Sequence, residues 1–311
     1  MRRNEYLPEG AGPLFPDGQP LSALRQALEE QTVLEGLAVR CDGRRDLTVR
    51  FGGYEGTIPR LDAVHPAISG AERDIAVLSR VGKPTCFTVK ALEADGKGAP
   101  AALLSRRAAQ EKAMEYFLEH LEPGTVLTGR VTRLESFGAF VDVGCGIVAM
   151  LPIEHISVSR ISHPRERFQE GQKILAAVWA LDREARRITL THRELLGTWM
   201  DNASRFRPGE TVRGTVRTVK DYGSFIELTP NLSGLADAKE RLALGDGVSV
   251  YIKSIRPERM KIKLQVIEKL PSAPTEPLRY QVTDGRLEHW TYSPPNYEKQ
   301  AVETMFTAPS P

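Results

Sequence analysis

Residues 122–144 read EPGTVLTGRVTRLESFGAFVDVG and residues 167–193 read RFQEGQKILAAVWALDREARRITLTHR. Between these limits apolar residues alternate with the period of a strand, not a helix. Runs at 126–134, 137–143, 148–151, 174–181 and 188–191 predict five short strands. Gly124, Gly129, Gly138, Gly144, Gly146 and Gly171 fall at their starts, bends and turns. Five strands in about 70 residues predict an OB-type barrel, which closes its sheet edges and can offer one face to a single-stranded nucleic acid.

Ser136-Phe137-Gly138-Ala139-Phe140 carries the chemistry of that stretch. In an ideal strand, side chains three positions apart point to opposite faces. A bulge or kink at Gly138 is the expected device that turns Phe137 beside Phe140 and leaves Val141 and Val143 pointing inward. Two neighbouring rings on a barrel face form a surface on which bases of any sequence stack. The competing reading buries both rings in the core, which is the common fate of a lone aromatic in a strand.

The segment resembles the ribosomal S1-type RNA-binding repeat in Thr125-Val126-Leu127-Thr128-Gly129-Arg130-Val131, in the 136–144 motif, in His155-Ile156-Ser157, in Gly171-Gln172-Lys173 and in ALDREARRITLT at 180–191. The resemblance implies that Phe137, Phe140, Asp182 and Arg187 lie on an RNA face. At the position after the third strand, where the family often carries a histidine, this chain has Leu151-Pro152.

TVLEG at 32–36, TVLTG at 125–129 and TVRG at 211–214 start three segments about 80 to 95 residues apart, far longer than a solenoid unit. Each repeat is therefore long enough to close its own core. The expected organisation is an irregular segment (1–20), a degenerate S1-like barrel (21–104), a connecting helix (105–121), an S1 domain (122–193), a second connecting helix (194–206), a second, shortened S1 domain (207–269) and a Pro- and aromatic-rich tail (270–311). The fold class is thus mainly β, with tandem five-stranded OB-fold barrels joined by short helices.

In the first repeat an ungapped match places Arg44 and Leu47 where the second has Phe137 and Phe140, so no stacking surface is expected there, and Arg40, Arg44 and Arg45 are its candidate phosphate contacts. In the third repeat Tyr222-Gly223-Ser224-Phe225 restores the spacing of ring, glycine, small residue and ring. Its match to the family's Asp position is Arg256 and to the basic position Lys261, with Lys220 and Lys253 beside them. That face is expected to hold backbone phosphates more strongly than it discriminates bases. The tail is read as a possible hairpin about Asp284-Gly285. Its Trp290, Tyr292, Tyr297 and Phe306 are expected to dock on a barrel.

The net charge is only +2, but residues 205–269 hold 13 Lys or Arg against 8 Asp or Glu. Salt-sensitive phosphate attraction is therefore expected mainly in the third repeat. No apolar run reaches the roughly 20 residues of a membrane-spanning helix, and the start has no secretory apolar core, so a cytoplasmic location and no membrane partner are expected. Cys41, Cys86 and Cys145 are odd in number without C-x-x-C and read as reduced structural residues.

Catalytic patterns fail on context. Gly144-Cys145-Gly146-Ile147-Val148-Ala149 matches G-x-G-x-x-A but joins two strands and opens no helix. His65, His120, His155, His163, His192 and His289 are scattered, so no metal and no cofactor are expected. Asp182 and Glu184 sit among Arg183, Arg186 and Arg187 as a charge network. The reading is a non-enzymatic protein that holds single-stranded RNA, with mRNA and the small ribosomal subunit as the implied partners and no small-molecule substrate. Its rivals are an RNA-binding accessory of a degradation or transcription complex, and a protein-interaction scaffold with every ring buried.

Overall fold

The structure is a computed structural model and describes residues 6–64, 70–94, 100–237, 242–274 and 277–306. His65 lies outside these residues. Three closed five-stranded barrels dominate. In each, the third strand pairs in parallel with the fifth and the other neighbours are antiparallel or sequential, which gives the strand order first, second, third, fifth, fourth.

Barrel 1 comprises β1 (Leu34–Cys41), β2 (Leu47–Phe51), β3 (Tyr54–Ile58), β4 (Pro84–Ala94) and β5 (Pro100–Ser105), preceded by α1 (Leu21–Glu29) and interrupted by α2 (Arg60–Ala63) and α3 (Gly70–Leu78). Its core holds Leu47, Val49, Ile58, Phe87 and Leu104, each fully buried. Burial of one such side chain contributes about 1.5–3 kcal/mol. Residues 6–20, within the proline-rich start, form no helix or strand yet are anchored. Glu9 is buried and accepts a two-point ion pair from Arg106 at 2.8 and 3.0 Å and a third contact from Arg80 at 2.8 Å. Its amide donates to Asp142 at 2.8 Å, and burial beside Glu9 pushes the Asp142 carboxyl up to about 7.

Arg106 opens α4 (Arg106–His120), whose N-cap, Ser105, accepts the Ala108 amide at 3.0 Å. The buried stripe of α4 runs through Ala109, Ala113, Met114 and Phe117. Ala108 and Leu118 on the same helix are only half-buried.

Barrel 2 comprises β6 (Val126–Glu135), β7 (Gly138–Gly144), β8 (Ile147–Pro152), β9 (Lys173–Asp182) and β10 (Arg187–Thr191). Each observed strand lies within one or two residues of its expected limits. Residues 145–146 form the turn between β7 and β8. The expected helix over 194–206 is broken. A 3-10 turn over Arg193–Leu196 ends at Gly197, whose φ of +84° stops propagation, and Thr198 then caps α5 (Trp199–Ala203) by accepting the Asp201 amide.

Barrel 3 comprises β11 (Thr211–Lys220), β12 (Gly223–Thr229), β13 (Leu232–Asp237), β14 (Gly247–Arg256) and β15 (Lys261–Lys269). The tail hairpin about Asp284-Gly285 does not form. Instead the Gly285 carbonyl accepts the Val126 amide at 2.9 Å, the Leu287 amide donates to Gly124 at 2.9 Å, and Arg286 bridges to Thr125. A Cβ on Gly124 would lie 1.8 Å from the Leu287 carbonyl oxygen, so glycine at 124 is what lets the tail pass. The tail's strands are β16 (His289–Thr291) and β17 (Glu303–Met305), paired with each other. Trp290, Tyr292 and Phe306 are buried and join the barrel 3 core.

Candidate nucleic-acid interface

In barrel 2 the chain turns at Ser136-Phe137, between β6 and β7, so Phe137 belongs to the hairpin turn rather than to a strand. Its ring is 53% exposed and lies 6.0 Å from that of half-buried Phe140, at 89° to it. In barrel 3 the turn is Asp221-Tyr222. Tyr222 is 65% exposed, and its ring is 6.4 Å from Phe225 at 88°.

All four rings are therefore outside their barrels, while Val141, Val143 and Ile226 are fully buried beneath them. The expected kink at glycine is not the cause. A two-residue turn frees the first ring from the strand's pleat. In barrel 3 the irregularity sits on the partner strand, between Val216 and Thr218. The glycines serve close approach instead: a Cβ on Gly138 would meet the Leu151 carbonyl oxygen at 2.4 Å, and one on Gly223 the Ala236 carbonyl oxygen at 2.3 Å. The perpendicular rings make a corner, not a flat platform. Such a corner offers one ring plane against which a flat ring can stack, with the edge of the second ring beside it.

Exposed cationic residues lie on the same two barrels as these corners. Arg187 and Asp182 are exposed and directly opposed across β9 and β10, and Arg256 and Lys261 occupy the matching opposed positions on β14 and β15. Asp182 also accepts the Ala185 amide at 2.8 Å and so shapes its own hairpin. Lys220, paired across the turn with Gly223, is exposed. Lys253 is exposed as well and lies 3.7 Å from Asp237, which draws part of its charge away from phosphate.

A family model described as S1 RNA binding domain matches residues 120–193, which contain the first ring corner and its cations. Residues 120–193 are an S1 domain. Among curated relatives, the small ribosomal subunit protein bS1 homolog of Bacillus subtilis is 32% identical over 201 residues, covering 58% of this chain and 52% of that protein. Small ribosomal subunit protein bS1 of Leuconostoc lactis is 32% identical over 265 residues, covering 79% of this chain and 60% of the relative. The chain thus spans between half and two-thirds of the length of these relatives. Among solved structures, a multidomain protein with nucleic acid binding domains from Streptococcus pneumoniae is 17% identical, covers 76% of this chain and 73% of its own, and has a TM-score of 0.26.

Sequence reasoning missed what joins the S1 domain to barrel 3. Glu227, buried on β12, receives Arg217 at 3.0 Å through two nitrogens and is also paired with Arg167, while Arg217 reaches Glu166. Burial works against the Glu166 carboxylate, yet hydrogen bonds from Ser162 and the Arg217 charge hold it below its ordinary range. Ser159 and Ser233 share a 2.7 Å hydroxyl contact, and the Val158 amide donates to Asn231 at 3.0 Å.

The tail adds a second tie. Fully buried His192 of the S1 domain contacts the Ile156 carbonyl at 2.7 Å and the Tyr280 hydroxyl at 3.1 Å. Burial pushes that imidazole down to about 4 and the Tyr280 phenol up to about 12. No local signal marked Glu227: alternation puts it on the outward face it shares with Phe225, between the core residues Ile226 and Leu228, where a carboxylate is ordinarily solvated.

Proposed function

We propose that this chain binds single-stranded RNA, with the S1 domain and barrel 3 each contributing one aromatic corner and a cationic margin. The observation that carries the reading is repetition: two barrels expose a ring pair of nearly the same separation and angle at the same place in the fold. Phe137, Phe140, Tyr222 and Phe225 stack bases. Arg187, Lys220, Lys253, Arg256 and Lys261 hold phosphates, and Asp182 shapes the margin and accepts from base edges. The bS1 relatives, small ribosomal subunit proteins by name, support placing that activity near the small ribosomal subunit, and we take mRNA as the strand held there.

Fluorescence anisotropy with a labelled homopolymer RNA at fixed salt tests the faces. Phe137→Ala with Phe140→Ala, and Tyr222→Ala with Phe225→Ala, are each expected to weaken binding about tenfold or more, since a stacked base contributes about 1–3 kcal/mol. An unchanged dissociation constant in a folded double variant removes that barrel from the interface. Co-sedimentation with 30S particles tests the ribosomal role, and association with RNA-degrading enzymes in its place supports the accessory reading.

A further inference from the structure

A cavity of about 410 Å³ opens beside the barrel 3 corner, and one wall of it belongs to the S1 domain. Phe225, Thr218 and Lys220 come from β11 and β12, and Met260 from the turn before β15. Ser159 and Arg160 come from the S1 domain's connection between β8 and β9. Buried Trp199 and Tyr292 line the apolar floor. Thr218 and Phe225 are directly opposed across the hairpin, at the register shift beside Arg217, which also lines the cavity while its guanidinium is paired with Glu227. Arg160 and Lys220 are exposed at the rim.

The position of Arg160 is not accidental to the fold. The Ser159 amide donates to the Pro230 carbonyl at 3.0 Å and its hydroxyl contacts Ser233 at 2.7 Å, so the residue before Arg160 is fastened to barrel 3 at two points. The result is a hollow with an aromatic wall, a polarizable thioether, hydroxyls and two cations at its mouth. That set suits a base and its phosphodiester, and the volume falls in the range of small-ligand sites.

Resting on the RNA reading above, we propose that this cavity is a composite nucleotide subsite, in which a base of the bound strand enters between Phe225 and Met260 while Arg160 of the S1 domain and Lys220 of barrel 3 hold its phosphate. Arg160 is then a binding residue for RNA on the neighbouring barrel. It lies outside the S1 domain's own ring corner, and its contribution depends on the ring that receives the base.

The test is a double-mutant cycle in the full chain, read by anisotropy with a single-stranded oligonucleotide across a salt series. Arg160→Ala is expected to weaken binding about fivefold and to lower the salt slope by about one. In the Phe225→Ala background the same change is expected to cost less than twofold, because without the ring no base is seated to bring its phosphate within reach. A loss of the same size in both backgrounds overturns the composite site, as does no loss in the parent chain. Phe137→Ala with Phe140→Ala separates the two readings: if that pair matters and Arg160 does not, the subsite alone fails; if neither ring pair matters, the RNA reading fails with it. Thermal unfolding of each variant establishes that it is folded. Photocrosslinking with 4-thiouridine RNA gives a second measure, with a crosslinked peptide containing Met260 expected and crosslinks confined to the peptide of Phe137 and Phe140 counting against the site.

Discussion

Barrels 1 and 3 share a strand order and a register shift at the same place in the first hairpin, between Ala38 and Arg40 in one and between Val216 and Thr218 in the other. They differ in how the hairpin closes. Barrel 3 turns through Asp221 and Tyr222 alone, and the second turn residue throws a ring into solvent. Barrel 1 spends 42–46 on the same task, and the Asp42 carboxylate accepts the Arg44 and Asp46 amides at 2.9 Å each. Pairing across the two hairpins makes Thr48, not Leu47, the counterpart of Phe225; Leu47 is fully buried and corresponds to Ser224. Turn length, more than strand pattern, separates a barrel that presents rings from one that does not.

The largest expected contrast lies two residues further along the second strand, on the same face. Glu227→Ala strands the buried Arg167 and Arg217 charges and is expected to lower stability by about 3–5 kcal/mol. Arg50→Ala at the matching position of barrel 1, on an exposed pair with Glu55 at 3.7 Å, is expected to change it by less than about 0.5 kcal/mol. Urea unfolding of both variants checks the difference. Next comes acid sensitivity. His192 is neutral in the folded protein down to about pH 4, whereas an unfolded histidine takes a proton near 6.5, so its contribution is complete above 6.5 and is lost as pH falls from there to about 4. That loss is expected to approach 3 kcal/mol. Melting temperatures of His192→Asn and the parent between pH 7 and 4 should converge toward the acid end.

Smaller effects test the turns themselves. Gly223→Ala, which forces a Cβ against the Ala236 carbonyl, is expected to cost about 1–3 kcal/mol, while Gly43→Ala in the barrel 1 turn meets open space and should be neutral. Asp42→Ala, which removes an acceptor for two amides, is expected to cost about 1 kcal/mol, read as a small drop in melting temperature.

These contrasts also mark where sequence reading reaches its limit. The S1 strands were legible because alternation such as that of Ala139, Val141 and Val143 is set by residues two apart. The ring pairs were legible because Tyr222-Gly223-Ser224-Phe225 repeats the second-repeat motif in a few letters. The ungapped match set Leu47 against Phe140 and could not register a turn of different length; cross-strand pairing sets Thr48 against Phe225, the ring that Phe140 matches in the third repeat. The Arg167–Glu227 pair and the Tyr280–His192 contact join residues 60 and 88 positions apart, and no local period encodes such partners. The Asp284-Gly285 hairpin was expected from local turn preference, and pairing with the start of β6 overrode it.

The tail's burial also sets an order of events during synthesis. Trp290, Tyr292 and Phe306 complete the barrel 3 core, and the Tyr292 hydroxyl donates to the Asn231 carbonyl at 2.6 Å. A nascent chain that has emerged only as far as β15 leaves that apolar surface bare, awaiting some 40 further residues. The barrel richest in cations is thus sealed only after the peptide through residue 306 has come free of the machine that makes it.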